Sequence, residues 1–147
     1  MNITEEQVVQ IKTLFDGVAN AQEERASIQK AVLQLYLIAG DQTPIFADKA
    51  GNFKDGTADG RMDCVDHSET DTYFLKFLSR LNLLQFHEIM KPYYRAPRIL
   101  DLHYASRIKE KENGQQWVVD TWFYDFGHEP VVLEADKWRK GWYPEGW

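Results

Sequence analysis

At 147 residues the chain is long enough for one domain with a substantial core, and eight Phe, seven Tyr and five Trp supply large side chains to fill it. A single cysteine excludes an internal disulfide and any zinc or iron–sulfur site built from several thiolates. The acidic balance, 23 Asp+Glu against 17 Lys+Arg, argues against a general binder of nucleic-acid backbone, and no stretch approaches the ~20 apolar residues of a membrane-spanning helix. Residues 1–6 have neither the basic nor the apolar region of a signal peptide. A chain trimmed behind a cleaved signal would read alike, which leaves cytoplasm and periplasm both open.

Thr4 and Gln7 form a capping-box pattern that opens a helix, along which Val8, Ile11, Leu14, Phe15 and Val18 recur at helical spacing. Asn20 with Glu23 starts a second helix. Its stripe of Ile28, Ala31, Val32, Leu35, Tyr36 and Ala39 runs to Gly40, which reads as a C-terminal stop. Over residues 41–61 no period survives, and Pro44, Gly51, Gly56 and Gly60 mark a long loop of the kind that often carries function. A third helix is expected over residues 64–84, with Tyr73, Phe74, Phe77, Leu78, Leu81 and Leu84 buried.

After residue 84 the pattern changes to short strands. Residues 86–90 are a candidate, followed by a loop over 92–97. Residues 100–108 and 116–124 read as an antiparallel pair, with a further strand at 131–133 and a helical turn at 136–138. The aromatic tail from Trp138 through Trp142 and Tyr143 to Trp147 reads as a staple of that segment to the core. Helices first and antiparallel strands later indicate one α+β domain over residues 1–147. In it a helix-borne cysteine packs on a small antiparallel sheet.

Cys64, His103 and Asp120 are the candidate catalytic residues. Thiol chemistry needs a thiolate, a base beside it and a third group to orient that base. Cys64 falls where the glycine-rich loop enters the third helix. The partial positive charge and open amides of a helix start can depress a thiol pKa from about 8.5 into the ~3.5–7.5 range. His103 and Asp120 lie on the two strands of the predicted hairpin. A six-residue loop over 109–114 would make them direct cross-strand neighbours, with Cβ atoms roughly 4.5–5.5 Å apart. A tight Asn113-Gly114 turn would instead separate them by roughly 13 Å. His67, one helical turn past Cys64, reads as a surface residue and a fallback base. His87 and His128 pair with no chemistry.

Together, Gly60-Arg61-Met62-Asp63-Cys64-Val65-Asp66, a histidine opening a strand, and Trp117-Val118-Val119-Asp120 resemble the transglutaminase-like core. The nearest likeness is to the bacterial transglutaminase-like cysteine proteinases, within the wider papain-like architecture, over residues 25–135. That resemblance implies Cys64 as nucleophile, His103 as general base, Asp120 as orienting acid, and a peptide or protein substrate. Hydrolysis and acyl transfer to an amine are both compatible with it, as is an inactive binding module on the same fold. Family members also use an upstream side chain in the oxyanion hole, for which Gln42 and Asn52 are the available amides.

Calcium is a further expectation. Asp55, Thr57, Asp59, Gly60, Asp63 and Asp66 fall at positions 1, 3, 5, 6, 9 and 12 of an EF-hand frame, with Asp where Glu is preferred at the last. Some bacterial members of the family bind calcium through acids flanking the cysteine, and Asp63 and Asp66 match that arrangement. Without a cation the same two residues read as helix caps.

Overall fold

The computed structural model describes residues 2–42, 64–96 and 103–146. Helix α1 (Glu5–Thr13) opens on the expected capping box. Thr4 Oγ1 accepts from the Gln7 amide at 3.1 Å, and Gln7 Oε1 accepts from the Thr4 amide at 2.9 Å. Helix α2 (Ala21–Gly40) begins at Asn20, whose side chain accepts from the Glu23 amide at 2.8 Å. Asn20→Ala leaves that amide without its acceptor and is expected to cost about 1 kcal/mol. A urea titration would show this as a lower midpoint with an unchanged slope.

Gly40 ends α2 for a different reason from the expected one. The residue that caps the helix, Asp41, stays right-handed at φ −73°. A Cβ on Gly40 would lie 2.4 Å from Cζ of Phe126, so glycine is needed there because an aromatic ring closes on the helix backbone.

Helix α3 (Cys64–Arg80) stops short of Leu84. Asn82 adopts φ 59°, and the Leu83 amide bonds back to the Leu78 carbonyl at 3.1 Å, which is a left-handed helix termination with Asn in the usual glycine position. The buried face of α3 is also rotated from the expected one. It carries Cys64, His67, Ser68, Asp71, Phe74, Leu75 and Leu78, while Tyr73 is half exposed.

Four strands, β1 (His87–Arg95), β2 (His103–Glu110), β3 (Gln116–Asp120) and β4 (Val131–Glu134), form an antiparallel meander in that order, and α4 (Ala135–Arg139) follows directly. β1 continues through Pro92, where the sequence suggested a loop. One extra residue enters between the pairs Met90↔Arg107 and Tyr93↔Ala105. A bulge on an edge strand tolerates a residue with no N–H to donate.

Both faces of the sheet are buried. Ile108 and Val119 meet Ile28, Val32, Leu35, Phe74, Leu75 and Leu78 of the helices. Ala105 and Val118, on the other face, meet Trp122, Phe123, Ala135 and Trp138. Helix α3 spans the two clusters: its apolar middle belongs to the first, and Cys64 at its start belongs to the second. No described helix is long and apolar enough to cross a membrane.

Candidate active site

The β2–β3 hairpin differs from both alternatives read from the sequence. Lys109 pairs with Gln116, the Glu110 amide donates to the Gln115 carbonyl at 2.8 Å, and the Gly114 amide donates to the Glu110 carbonyl at 3.0 Å. Gly114 takes φ 74° to close this loop. Extending the Ser106↔Val119 pair by one residue puts Asp120 opposite Ala105, so His103 is a diagonal neighbour of Asp120 rather than a direct one. The shared face survives, because the register differs from the expected one by two residues. Diagonal positions lie roughly 7–8 Å apart, within reach of an imidazole and a carboxylate. His103 Nε2 stands 2.7 Å from Asp120 Oδ2.

Asp120 is held by three donors. Besides His103, Trp138 Nε1 donates to Oδ2 at 2.9 Å, and the Trp122 amide donates to Oδ1 at 3.0 Å. Burial pushes this carboxyl up, but the attraction of His103 and the hydrogen bonds from His103, Trp122 and Trp138 outweigh it and leave Asp120 below its ordinary value. The pair is dry, with each residue 1% exposed. Rings of Trp122, Phe123 and Trp138 surround His103 at centroid distances of 4.2, 5.4 and 5.5 Å. With Nε2 committed to Asp120, Nδ1 is buried and has no hydrogen-bond partner among the described residues.

Cys64 is the first residue of α3 and 8% exposed. It joins the buried cluster that includes Trp122, Phe123 and Trp138, the same aromatic wall that encloses His103. A helix start supplies unpaired amides and about half a positive charge at that point.

His67 is a buried residue rather than the surface one expected. Its Nδ1 lies 2.7 Å from Thr121 Oγ1, which in turn lies 2.9 Å from both carboxylate oxygens of Asp71. Tyr36 Oη donates to Asp71 Oδ1 at 2.7 Å. Burial is the main influence on Asp71 and raises it to about 7, against the lowering effects of His67, Tyr36 and Thr121.

Other expected residues fall elsewhere. Gln42 ties down residue 2, accepting from the Asn2 amide at 2.8 Å and donating to its carbonyl at 2.6 Å, and so serves the N-terminal segment rather than an oxyanion hole. Asn52, Asp55, Thr57, Asp59, Gly60 and Asp63 lie outside the described residues. Asp66 is exposed in the first turn of α3. Among the described residues no group of three or more His, Cys, Asp and Glu side chains could hold a metal ion. His87 Nδ1 donates to Glu24 Oε1 at 2.8 Å in a separate buried cluster, which fastens α2 to the start of β1.

The aromatic tail is the expected staple. Arg95 donates to the carbonyls of Trp138 and Trp142 at 2.5 and 2.7 Å, with the Trp138 and Tyr143 rings each 4.7 Å from its guanidinium. Trp138 therefore has two roles, since its indole N–H also holds Asp120.

Asp71 and Thr121 were not singled out from the sequence. The signal for Asp71 was available: it lies three, four and seven residues before Phe74, Leu75 and Leu78, on the face that α3 buries. No family model, curated protein or solved structure matches the chain.

Proposed function

We propose that the protein is a cysteine hydrolase of amide or peptide bonds, built on a transglutaminase-like, papain-like core. The observation that carries this reading is the buried His103–Asp120 pair, which fixes one imidazole nitrogen and leaves the other without a partner among the described residues. A carboxylate on Nε2 selects the tautomer with the proton on Nε2 and the lone pair on Nδ1, as a general base requires. Cys64 belongs to the apolar cluster whose Trp122, Phe123 and Trp138 surround His103, which supports the thiol as the proton's source. The helix start at Cys64 supports thiolate formation and offers amides to a developing oxyanion.

In the proposed reaction, His103 Nδ1 takes the Cys64 proton and the sulfur attacks the substrate carbonyl. The tetrahedral intermediate collapses to a thioester as the imidazolium protonates the departing amine. Water, deprotonated by Nδ1, then attacks the thioester, and the thiol is regenerated with release of the acid. Asp120 stays ionised and stabilises the imidazolium in both halves. An amine in place of water would give acyl transfer.

Iodoacetamide alkylation of Cys64, followed across pH, tests the assignment. The wild-type thiol is expected to titrate below its ordinary value of about 8.5. His103→Gln is expected to slow alkylation near pH 6.5 by at least tenfold, about 1.4 kcal/mol. A thiol that titrates near 8.5 and ignores His103 would sink the hydrolase reading in favour of a binding module on the same fold.

A further inference from the structure

The proposed reaction uses only one of the two polar side chains at the end of β3. Asp120 enters the cluster with His103 and Trp138, while its neighbour Thr121 faces Asp71 of α3 and Tyr36 of α2. The Thr121 hydroxyl has one proton and three neighbours, the Asp71 carboxyl at 2.9 Å, His67 Nδ1 at 2.7 Å and Tyr36 Oη at 3.2 Å; since Tyr36 gives its own proton to Asp71 over 2.7 Å, the close competition is between Asp71 and His67.

When Asp71 is a carboxylate it can only accept. Thr121 then donates to it, and Thr121 Oγ1 must accept from a protonated His67 Nδ1, leaving the lone pair on Nε2. When Asp71 carries a proton it can donate to Thr121, which then donates to Nδ1, so the imidazole proton sits on Nε2. Passing from the first state to the second takes up one proton overall. It binds at His67 Nε2, the Nδ1 proton moves to Thr121 Oγ1, and the Thr121 proton moves to Asp71.

We propose that Asp71 and Thr121 are positioning residues for His67, and that the protonation of Asp71 selects which ring nitrogen of His67 carries its hydrogen, one helical turn from Cys64. The groups facing Asp71 are Tyr36 from α2, His67 on its own helix, and Thr121 with the charge of Asp120 at the end of β3. Tyr36 donates in both states. Burial among these groups brings Asp71 to about 7, so both states are populated near neutral pH. The effect on Cys64 rests on the hydrolase reading, whereas the relay itself does not.

Long-range proton–nitrogen correlation on the full-length protein reads the His67 tautomer directly between about pH 5 and 9. Wild type is expected to change from the Nδ1–H form above about pH 7 to the Nε2–H form below it. In Asp71→Asn the amide N–H₂ donates permanently to Thr121, so the Nε2–H form should persist throughout. Thr121→Val should uncouple His67 from Asp71, and Thr121→Ser should restore the change. One unchanged tautomer in wild type across the range, or simple conversion to an imidazolium bearing both protons, overturns the relay without need of any variant.

Cys64 alkylation supplies the second readout. Loss of an inflection near pH 7 in Asp71→Asn supports the link to the thiol, and an inflection that survives overturns it. If alkylation ignores His103 while the His67 tautomer still switches, the hydrolase reading falls and the relay stands.

Discussion

Asp120→Ala is expected to lower the unfolding free energy by roughly 3–5 kcal/mol, the usual result of removing one partner from a buried ion pair. The loss is large because three donors converge on this carboxylate: His103 Nε2, Trp138 Nε1 and the Trp122 amide. All three belong to buried residues, so none gains a water in exchange. For a chain of this size the loss corresponds to a fall in Tm of about 6–20 °C, readable by thermal denaturation. A fall worth under about 1 kcal/mol would mean that the donors find other acceptors.

Asp120→Asn separates stability from chemistry. The amide keeps the volume, but it can present an N–H to His103 Nε2 where the carboxylate presented a lone pair. That reverses the imidazole tautomer and puts the hydrogen on Nδ1, where the base is required. If the proposed reaction holds, turnover of a peptide amide is then expected to fall by up to ~10⁴, as in established triads whose acid becomes an amide. Trp138 Nε1 loses its acceptor on the same atom, so stability is expected to fall by about 1–3 kcal/mol, less than in Asp120→Ala.

Asp71 should make the protein less stable as pH rises, the opposite of Asp120. An unfolded Asp71 loses its proton around 3.8, while the folded one holds it until about 7. Between these values the native state binds more protons than the unfolded state, so stability falls with rising pH and levels off above the folded value. The gap between 3.8 and about 7 is worth about 4 kcal/mol. Asp120, held below its ordinary value, contributes stability that is complete above the unfolded value and is lost as pH falls from there through the folded one.

Asp71→Asn removes the first dependence and leaves the second. Its stability relative to wild type should hold steady below about pH 4 and rise by about 4 kcal/mol by pH 8, with urea titrations at several pH values as the measurement. A constant difference across that range would show that Asp71 ionises alike in the folded and unfolded chain.

What could be read from the residues beforehand follows the range of the interactions. The caps at Thr4 and Asn20 are made within three residues and appear as expected. The end of α3 was missed because Asn82 adopts a left-handed conformation that a run of leucines does not announce. His103 and Asp120 are diagonal rather than direct neighbours, yet they meet, since strand parity survives a two-residue shift and the two side chains span the diagonal. Trp138 was legible as a staple but not as a donor to Asp120, because nothing local to residue 138 points to residue 120.

The buried face of α3 is partly polar, and its aromatic residues do not mark it. Drawing its stripe through Tyr73 and Phe77 placed His67 in solvent, whereas Asp71, Leu75 and Leu78 lie on the face that is buried. Buried carboxylates require partners, and those of Asp71 come from α2 and from the end of β3, 35 and 50 residues away. No local pattern around Asp71 contains them.

Trp138 has a temporal consequence as well as a spatial one. His103 precedes Asp120 by 17 residues, and Trp138 follows it by 18. At ~5–20 residues per second, a ribosome makes the indole about 1–4 s after the carboxylate. Arg95 waits longer, 43 residues for its carbonyl acceptor at Trp138 and 47 for the one at Trp142. Thiol, imidazole and acid are thus all synthesised before the residue that seals the acid in place. The proposed site therefore cannot close its acid on the ribosome before residue 138 is made, so its assembly belongs to the last stage of the chain's synthesis or after it.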